Sequence, residues 1–346
     1  MREALLPALL TFAASWVLTG WVLRYALRNS MLDLPNPRGS HSTATPRGGG
    51  LAIAVAVLAG IGAAGEAGWI PQEVAAALLG GGLMVAAIGW LDDRRGVGVG
   101  VRLAVHFAAA GWAIWWLGGV PALGAGGSAV QLGVFGPVVG LLGIAWATNC
   151  YNFMDGSDGL AGAQAVMVGV VGALFLFGSG HADLGLIALL IAGAAAGFLI
   201  WNWSPARIFM GDVGSGLLGF LFAVLALASE RSGALPVLAW ILLLGVFGFD
   251  ATVTLLRRMW RGERWYQAHR THAYQRAIQR GWSHAQVAGA VVLLDLALGG
   301  LVWVAWRWPG LWLAVAICAV VGLAALYVRV QQAGSIPLDT SGARSR

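Results

Sequence analysis

The sequence contains no lysine, and only 10% of its 346 residues are charged. A water-soluble domain carries about 25% charged residues. The shortage therefore excludes a chain that folds mainly in water, as do the 59% of hydrophobic residues and the mean hydropathy of +0.77. No water-soluble stretch is long enough to form a second domain. Cysteine is scarce as well: Cys150 and Cys318 lie in or beside apolar runs and read as small buried hydrophobes, which excludes a disulfide framework or a cysteine metal site. Internal repeats and low-complexity linkers are absent. All the positive charge comes from 21 arginines, which with 52 glycines and 18 tryptophans points to a GC-rich genome and says nothing of chemistry. A pI near 10.1 would suit a nucleic-acid partner. In a membrane chain, arginines instead occupy cytoplasmic loops and face anionic headgroups, so no nucleic acid is expected.

What is present is apolar length. A spanning helix needs about 20 mostly apolar residues, and eleven runs qualify: 4–27, 49–68, 74–91, 101–118, 129–148, 160–178, 183–202, 214–229, 234–256, 285–306 and 310–331. The fifth is Gly-rich with Pro137, and the eighth is short. The first is too long for a cleaved signal peptide and lacks a small-residue cleavage site before Arg24 and Arg28. The expected fold is an all-α, polytopic membrane bundle: one membrane domain over 1–331 and a short cytoplasmic tail over 332–346. The loops after spans 1, 3, 5, 7 and 9, with the tail, hold 18 arginines. The other side holds three, Arg2, Arg231 and Arg307. The positive-inside rule then places the N-terminus outside, which for a multi-pass protein of a bacterial inner membrane would be the periplasm, and the odd-numbered loops in the cytoplasm.

The polar clusters fall in those same five loops. The first runs from Asp33 through Arg38 and His41 to Arg47 and Gly50. The second is Leu91-Asp92-Asp93-Arg94-Arg95-Gly96. The third is Asn149-Cys-Tyr-Asn152-Phe-Met-Asp155-Gly-Ser-Asp158-Gly159. The fourth spans Asn202 to Arg207 and Phe209-Met-Gly-Asp212-Val-Gly-Ser215-Gly. The fifth runs from Arg264 through His269-Arg270-Thr-His272 to Tyr274 and Arg276. The opposite loops are short and bland, so one face carries the chemistry. Carboxylates at membrane depth are costly and tend to be functional. Asp92, Asp93, Asp155, Asp158 and Asp212 offer hard oxygens suited to Mg²⁺, which binds one or two carboxylates plus substrate phosphates. Nearby arginines and histidines suit phosphate oxygens. The glycine-rich turns at Asp155–Gly159 and Gly211–Gly216 lead into helices, whose exposed N–H groups favour phosphate. Carboxylates, cations and a membrane setting together point to phosphoryl transfer involving a lipid.

Each cluster alone has a plainer reading. Asp92-Asp93 could be a solvated turn, and Asp155, Asp158 and Asp212 could be helix caps. His269 and His272 could be a polar surface pair, since two histidines without a third ligand do not make a zinc site. The run Arg257–Arg264 could meet headgroups. His106 and Asp295 read as polar residues inside the bundle, and Trp112, Trp115, Trp116, Trp303, Trp306 and Trp308 as interfacial anchors. What outweighs these readings is that clusters far apart in sequence all fall on one face.

From Asp33 to about Gly281, these loops resemble the polyprenyl-phosphate N-acetylhexosamine-1-phosphate transferase family. That family includes the translocase that makes lipid I and the enzymes that initiate O-antigen or enterobacterial common antigen. The segments Asn149–Ala161 and Phe209–Gly219 carry the resemblance most specifically. It implies ten or eleven helices, dependence on Mg²⁺ (with Mn²⁺ as a substitute), a homodimer, and two substrates, undecaprenyl phosphate and a UDP-N-acetylhexosamine. It further implies that Asp92 and Asp93 handle the lipid phosphate and that Asp212 binds the metal. Asn152, Asp155 and Asp158 would form the nucleotide-sugar loop, with Asn202 and Phe209 lining the uridine pocket. His269, Arg270 and His272 would lie near the diphosphate, and Arg47 would bind substrate. The last loop lacks the run of adjacent histidines of the lipid I enzyme, and Thr43 stands where that enzyme has a lysine. Both departures turn the expectation toward initiation of O-antigen or another envelope polysaccharide, with lipid I synthesis as the rival. A transporter of phosphorylated lipid or nucleotide sugar would place polar residues at mid-membrane in repeated, broken helices. A scaffold would use the carboxylates only as caps.

Overall fold

The computed structural model describes residues 2–29, 31–33, 44–125, 128–263 and 269–332. The stretch 34–43 with Arg38, His41 and Thr43, the segment 264–268 with Arg264, and the tail from 333 onward lie outside the described residues.

A chain this apolar satisfies its backbone within each segment, and helices are the way to do so. The helices are α1 (Arg2–Arg28), α2 (Gly50–Glu66), α3 (Gln72–Arg95), α4 (Val99–Trp116), α5 (Gly136–Met154), α6 (Leu160–Gly178) and α7 (Ala182–Asn202). They continue with α8 (Asp212–Ser232), α9 (Val237–Leu243), α10 (Gly245–Trp260), α11 (Ala273–Gln279), α12 (His284–Arg307) and α13 (Trp312–Gln332). Two small antiparallel pairs supplement them: β1 (Leu32–Asp33) with β2 (Thr45–Pro46), and β3 (Leu123–Ala125) with β4 (Ser128–Val130). The architecture is an all-α polytopic membrane bundle.

Its axis is α8, whose apolar stretch is 89% buried. α2, α3, α5 and α7 pack around it, and small residues permit the approach. A Cβ on Gly219 would lie 2.5 Å from the Ala147 carbonyl oxygen, and one on Gly89 2.6 Å from the Val213 nitrogen. The outer helix α1 meets α7 through the spaced pair Gly193 and Gly197. A Cβ on Gly193 would stand 2.5 Å from the Ala8 carbonyl oxygen, and Ser15 donates to the Ala194 carbonyl at 2.6 Å.

Each of the eleven expected spans coincides with helix, but the count changes. Among the described residues, eight helices are long and apolar enough to cross a membrane by themselves. The ninth run is broken between α9 and α10, which meet at 80°, and makes nine only if the pair is one span. At 17 residues α2 is short. Arg102, His106 and three tryptophans dilute α4. The fifth span starts at Gly136 rather than 129, because Pro137 suits a helix's first turn and the preceding residues form the β3–β4 pair and a 3₁₀ turn. The eighth is 21 residues long and far from marginal. Cys150 is buried as expected, whereas Cys318 is exposed on α13. A helix facing lipid can present apolar side chains outward, so an apolar run does not by itself imply burial within the protein.

Candidate active site

Residues from all five arginine-rich loops line one cavity of about 220 Å³. Asp33 and Arg47 come from the first loop, Asp93 from the second, and Asn152, Asp155 and Asp158 from the third. Asn202, Phe209 and Asp212 come from the fourth, and Gln275 from the fifth. The cavity sits where α3, α5 and α7 end and α6 and α8 begin. The first loop is tied to the fourth by backbone bonds: Phe209 N–H donates to Pro46 at 2.8 Å, Gly49 N–H to Phe209 at 2.9 Å, and Gly50 N–H to Met210 at 2.8 Å.

The aspartate pair divides its work. On a helix, adjacent residues point about 100° apart. Asp93 turns inward, is 5% exposed, and accepts the backbone N–H groups of Asp212 at 3.1 Å and Val213 at 3.2 Å. These are orphan donors at the start of α8, where the helix dipole also favours a carboxylate. Gly211 makes the approach possible. Its φ is +76°, and a Cβ there would lie 2.5 Å from the Asp93 carboxylate. Asp92 points elsewhere, accepting from Val97 N–H and, at 2.7 Å, from Arg102 Nη1. The same Nη1 donates to Asp212 Oδ2. Arg102 thus joins two carboxylates from separate helices, with about a quarter of its side chain exposed.

The third loop is fastened from several sides. Asn152 donates to Ser215 Oγ at 2.9 Å, tying α5 to α8. Asp155 follows the end of α5. Burial, reinforced by the charges of Asp212 and Asp93, pushes its carboxyl well above the usual carboxylate range, against the opposing effect of an N–H from Gly211. Asp158 accepts from Ala206 N–H at 3.1 Å. Asn202, 3% exposed, accepts from Gly159 N–H through Oδ1 and donates to the Ile208 carbonyl through Nδ2, both at 3.0 Å. Its amide therefore clamps the third loop to the fourth.

The two histidines line a second, adjoining cavity of about 650 Å³, which shares Asn152, Gly156 and Gln275 with the first. Arg102 and Asn149 mark its polar end, and Leu103, Leu142, Trp146 and Leu255 form part of an apolar wall along α4, α5 and α10. His269 and His272 stack with centroids 4.9 Å apart. Burial, then the neighbouring His272 and Arg258 charges, pushes the His269 imidazole down to about 4. His272 is buried and faces Asp250, whose carboxylate also accepts from Ala273 and Tyr274 N–H at 2.9 and 3.3 Å and so caps α11. Arg270 lies on the same loop but lines neither cavity.

Arg102, Asp250, Gln275 and His284 were not among the site residues expected from sequence. Arg102 counted only as one more loop arginine, and Asp250 lies inside an apolar run. For α12, the Ser283-x-x-Gln286 capping box was a readable start signal that points to His284.

Five carboxylates, Asp33, Asp93, Asp155, Asp158 and Asp212, line the first cavity. Among the described residues, no three His, Cys, Asp or Glu side chains group to cage a metal. Mg²⁺ does not require such a cage, since it takes one or two carboxylates and completes its shell with substrate phosphates and water. The donor set fits that mode.

Buried carboxylates, a bridging guanidinium and a polar cavity that opens beside an apolar one, all at one end of a helical bundle, define a membrane protein equipped for phosphorylated substrates. Residues 75–230 match the sequence profile of glycosyl transferase family 4. The chain is 33% identical to a phospho-N-acetylmuramoyl-pentapeptide-transferase of Synechococcus sp. (strain JA-3-3Ab), over 84% of this chain and 87% of the relative. It is 28% identical to a probable undecaprenyl-phosphate N-acetylglucosaminyl 1-phosphate transferase of Bacillus subtilis, over 80% of this chain and 78% of the relative. It is also 28% identical to a decaprenyl-phosphate N-acetylglucosaminephosphotransferase of Mycolicibacterium smegmatis, over 86% and 80%. The chain belongs to glycosyl transferase family 4.

Proposed function

We propose that this enzyme transfers N-acetylhexosamine-1-phosphate from a UDP-sugar to undecaprenyl phosphate or a related polyprenyl phosphate, and so initiates O-antigen or another envelope polysaccharide. The observation that carries this reading is the junction of the two cavities. The polar one suits a nucleotide diphosphate sugar, and the other combines a polar end with an apolar wall suited to a phosphate-headed lipid. The relatives named for N-acetylglucosamine-1-phosphate transfer to undecaprenyl or decaprenyl phosphate support the same reaction. The arginine asymmetry supports a site on the cytoplasmic face of the inner membrane. The resemblance supports a homodimer.

In this mechanism an oxygen of the lipid phosphate attacks the β-phosphorus of the UDP-sugar in line. The bond from that phosphorus to the bridging oxygen breaks, and UMP leaves with the electron pair. A phosphate monoester has a second pKa near 6, so the attacking oxygen is largely ionised at neutral pH and needs no strong base. Positioning and electrostatics carry the rate. Mg²⁺, when bound, neutralises charge on the diphosphate and leaving group. Asp212 would hold it, while Asp93 fixes the start of α8 behind it. Arg102 and Asp92 position the lipid phosphate, and His269 and His272 meet the diphosphate oxygens where the two cavities join; Arg270 lies on the loop that carries them but lines neither cavity. Arg47, Asn152, Asp155, Asp158 and Phe209 shape the donor pocket, whose frame Asn202 holds.

One rival rests on a specific observation. The relative at 33% identity is named as a phospho-N-acetylmuramoyl-pentapeptide-transferase. Purified protein given undecaprenyl phosphate, Mg²⁺ and a panel of UDP-N-acetylhexosamines plus UDP-muramoyl-pentapeptide separates the two. UMP release with one hexosamine donor, abolished by EDTA, supports our reading and names the sugar. Release only with the pentapeptide donor moves the chain to peptidoglycan synthesis, and no release from folded protein overturns the transferase reading.

A further inference from the structure

The loop Asp155–Gly159, whose first four residues line the polar cavity, belongs to no helix or strand, so its shape depends on what grips it. From one side the grip comes from the connection between α7 and α8, through Asn202 and Ala206. From the other it comes from His284, the first residue of α12. Ser283 and Gln286 cap that helix reciprocally, with Gln286 N–H donating to Ser283 Oγ at 3.1 Å and Ser283 N–H to Gln286 Oε1 at 2.9 Å. The start of α12 is thereby fixed, and with it the backbone that carries the imidazole.

His284 Nδ1 lies 3.1 Å from the Asp158 backbone nitrogen and 3.0 Å from Ser157 Oγ. A backbone N–H can only donate, so Nδ1 accepts, and the ring proton of the neutral imidazole resides on Nε2. The Ser157 hydroxyl, buried at 8% exposure, turns its proton to the same nitrogen. The Asp158 carboxylate, at 3.7 Å, is too distant to compete for Nδ1 as a hydrogen-bond partner. One lone pair therefore gathers the two donors of consecutive residues that wall the cavity.

We propose that His284 is a positioning residue for the donor substrate, acting through Ser157 and Asp158 to hold the nucleotide-sugar loop in its binding shape. This deepens the transferase reading and rests on it for the identity of the donor. His284 lines neither the polar cavity nor the apolar-walled one beside it, so its effect falls on donor binding rather than on the lipid or the transfer step.

The test compares wild type with His284→Ala and His284→Asn. In asparagine, Oδ1 stands near the place of Nδ1 and accepts in its stead. Steady-state kinetics give KM for the UDP-sugar, KM for undecaprenyl phosphate and kcat; hydrogen exchange is followed on peptides covering 155–160; thermal midpoints check folding. Removing an acceptor from two largely buried donors is expected to raise donor KM in His284→Ala roughly tenfold. Lipid KM and kcat should stay within about twofold, exchange across 157–159 should accelerate, and His284→Asn should return both readouts toward wild type. Unchanged donor KM and exchange in His284→Ala would overturn the proposal, as would an equal rise in both KM values that asparagine does not reverse. If wild type transfers from no UDP-sugar, the transferase reading fails, and exchange at 157–159 still decides whether His284 holds the loop.

Discussion

Asp93 meets Asp212 through its backbone: the Asp93 carboxylate accepts the Asp212 N–H at 3.1 Å and the next N–H, that of Val213, at 3.2 Å. The two residues thus act at one point in different ways. Asp93 closes the end of α8, while the Asp212 side chain remains on the cavity wall beside Arg102.

This geometry separates the neighbouring aspartates in a measurable way. Loss of a helix cap costs about 1–2 kcal/mol, and Asp93 is buried as well, so Asp93→Ala should lower the thermal midpoint along with UMP release. Asp92→Asn should lose activity with little change in the midpoint, because Asp92 is part-exposed and its partners reach solvent. Equal thermal losses in the two variants would refute the division of roles.

Arg102 is the only cation for which the described residues show salt bridges to both Asp92 and Asp212. Replacing it by glutamine leaves two carboxylates facing one another where a phosphate is to bind. Removal of one such stabilising group typically costs about 100-fold or more in turnover. Arg102→Gln should therefore drop kcat/KM for lipid phosphate by at least about 100-fold. Arg102→Lys should recover only part of that, since one ammonium lacks the guanidinium's fixed geometry. Turnover of Arg102→Gln within about threefold of wild type would remove Arg102 from the site.

Much of this site was legible in the sequence because its signals are local. Span length can be counted in a window, arginine sidedness in a sum, and the Asp155–Gly159 and Gly211–Gly216 turns read directly. These put the five loops at one end of the bundle, and the cavity collects residues from all five. What escaped depends on direction and distance in space. Asp92 and Asp93 look equivalent in a string but diverge by the helix's angular step. Arg102 reaches Asp212 across 110 positions, and His284 reaches Asp158 across 126. The break after Leu243 carries no proline, and the hydropathy of the run gave no sign of an 80° bend.

The carboxylate-rich cavity predicts metal dependence with a specific residue signature. Asp212→Asn keeps the side chain's size but weakens a hard anionic ligand. It should abolish UMP release at any Mg²⁺ concentration, and Mn²⁺ should support wild type without rescuing the variant. Substantial release by Asp212→Asn would end its assignment as the metal ligand.

His269 gives the loop a pH signature with a definite sign. Its ring is pushed down to about 4 from an ordinary value of 6.5, first by burial and then by the neighbouring His272 and Arg258 charges. Between those two pH values the unfolded chain binds a proton that the folded chain refuses. Stability is therefore lost as pH falls through this window, and the loss levels off below about 4. Asp155, raised by burial, acts in the opposite direction, gaining stability as pH falls. Its contribution is common to wild type and His269→Gln and cancels in their difference. Thermal midpoints recorded from pH 7.5 to 4 should accordingly converge or cross on acidification, with wild type losing more than His269→Gln below about pH 6.5 and the curves parallel above it. Curves that stay parallel throughout would show that His269 titrates as it does in the unfolded chain. They would also restore a charged histidine to the diphosphate site near pH 6, where a neutral ring is expected to offer only an N–H.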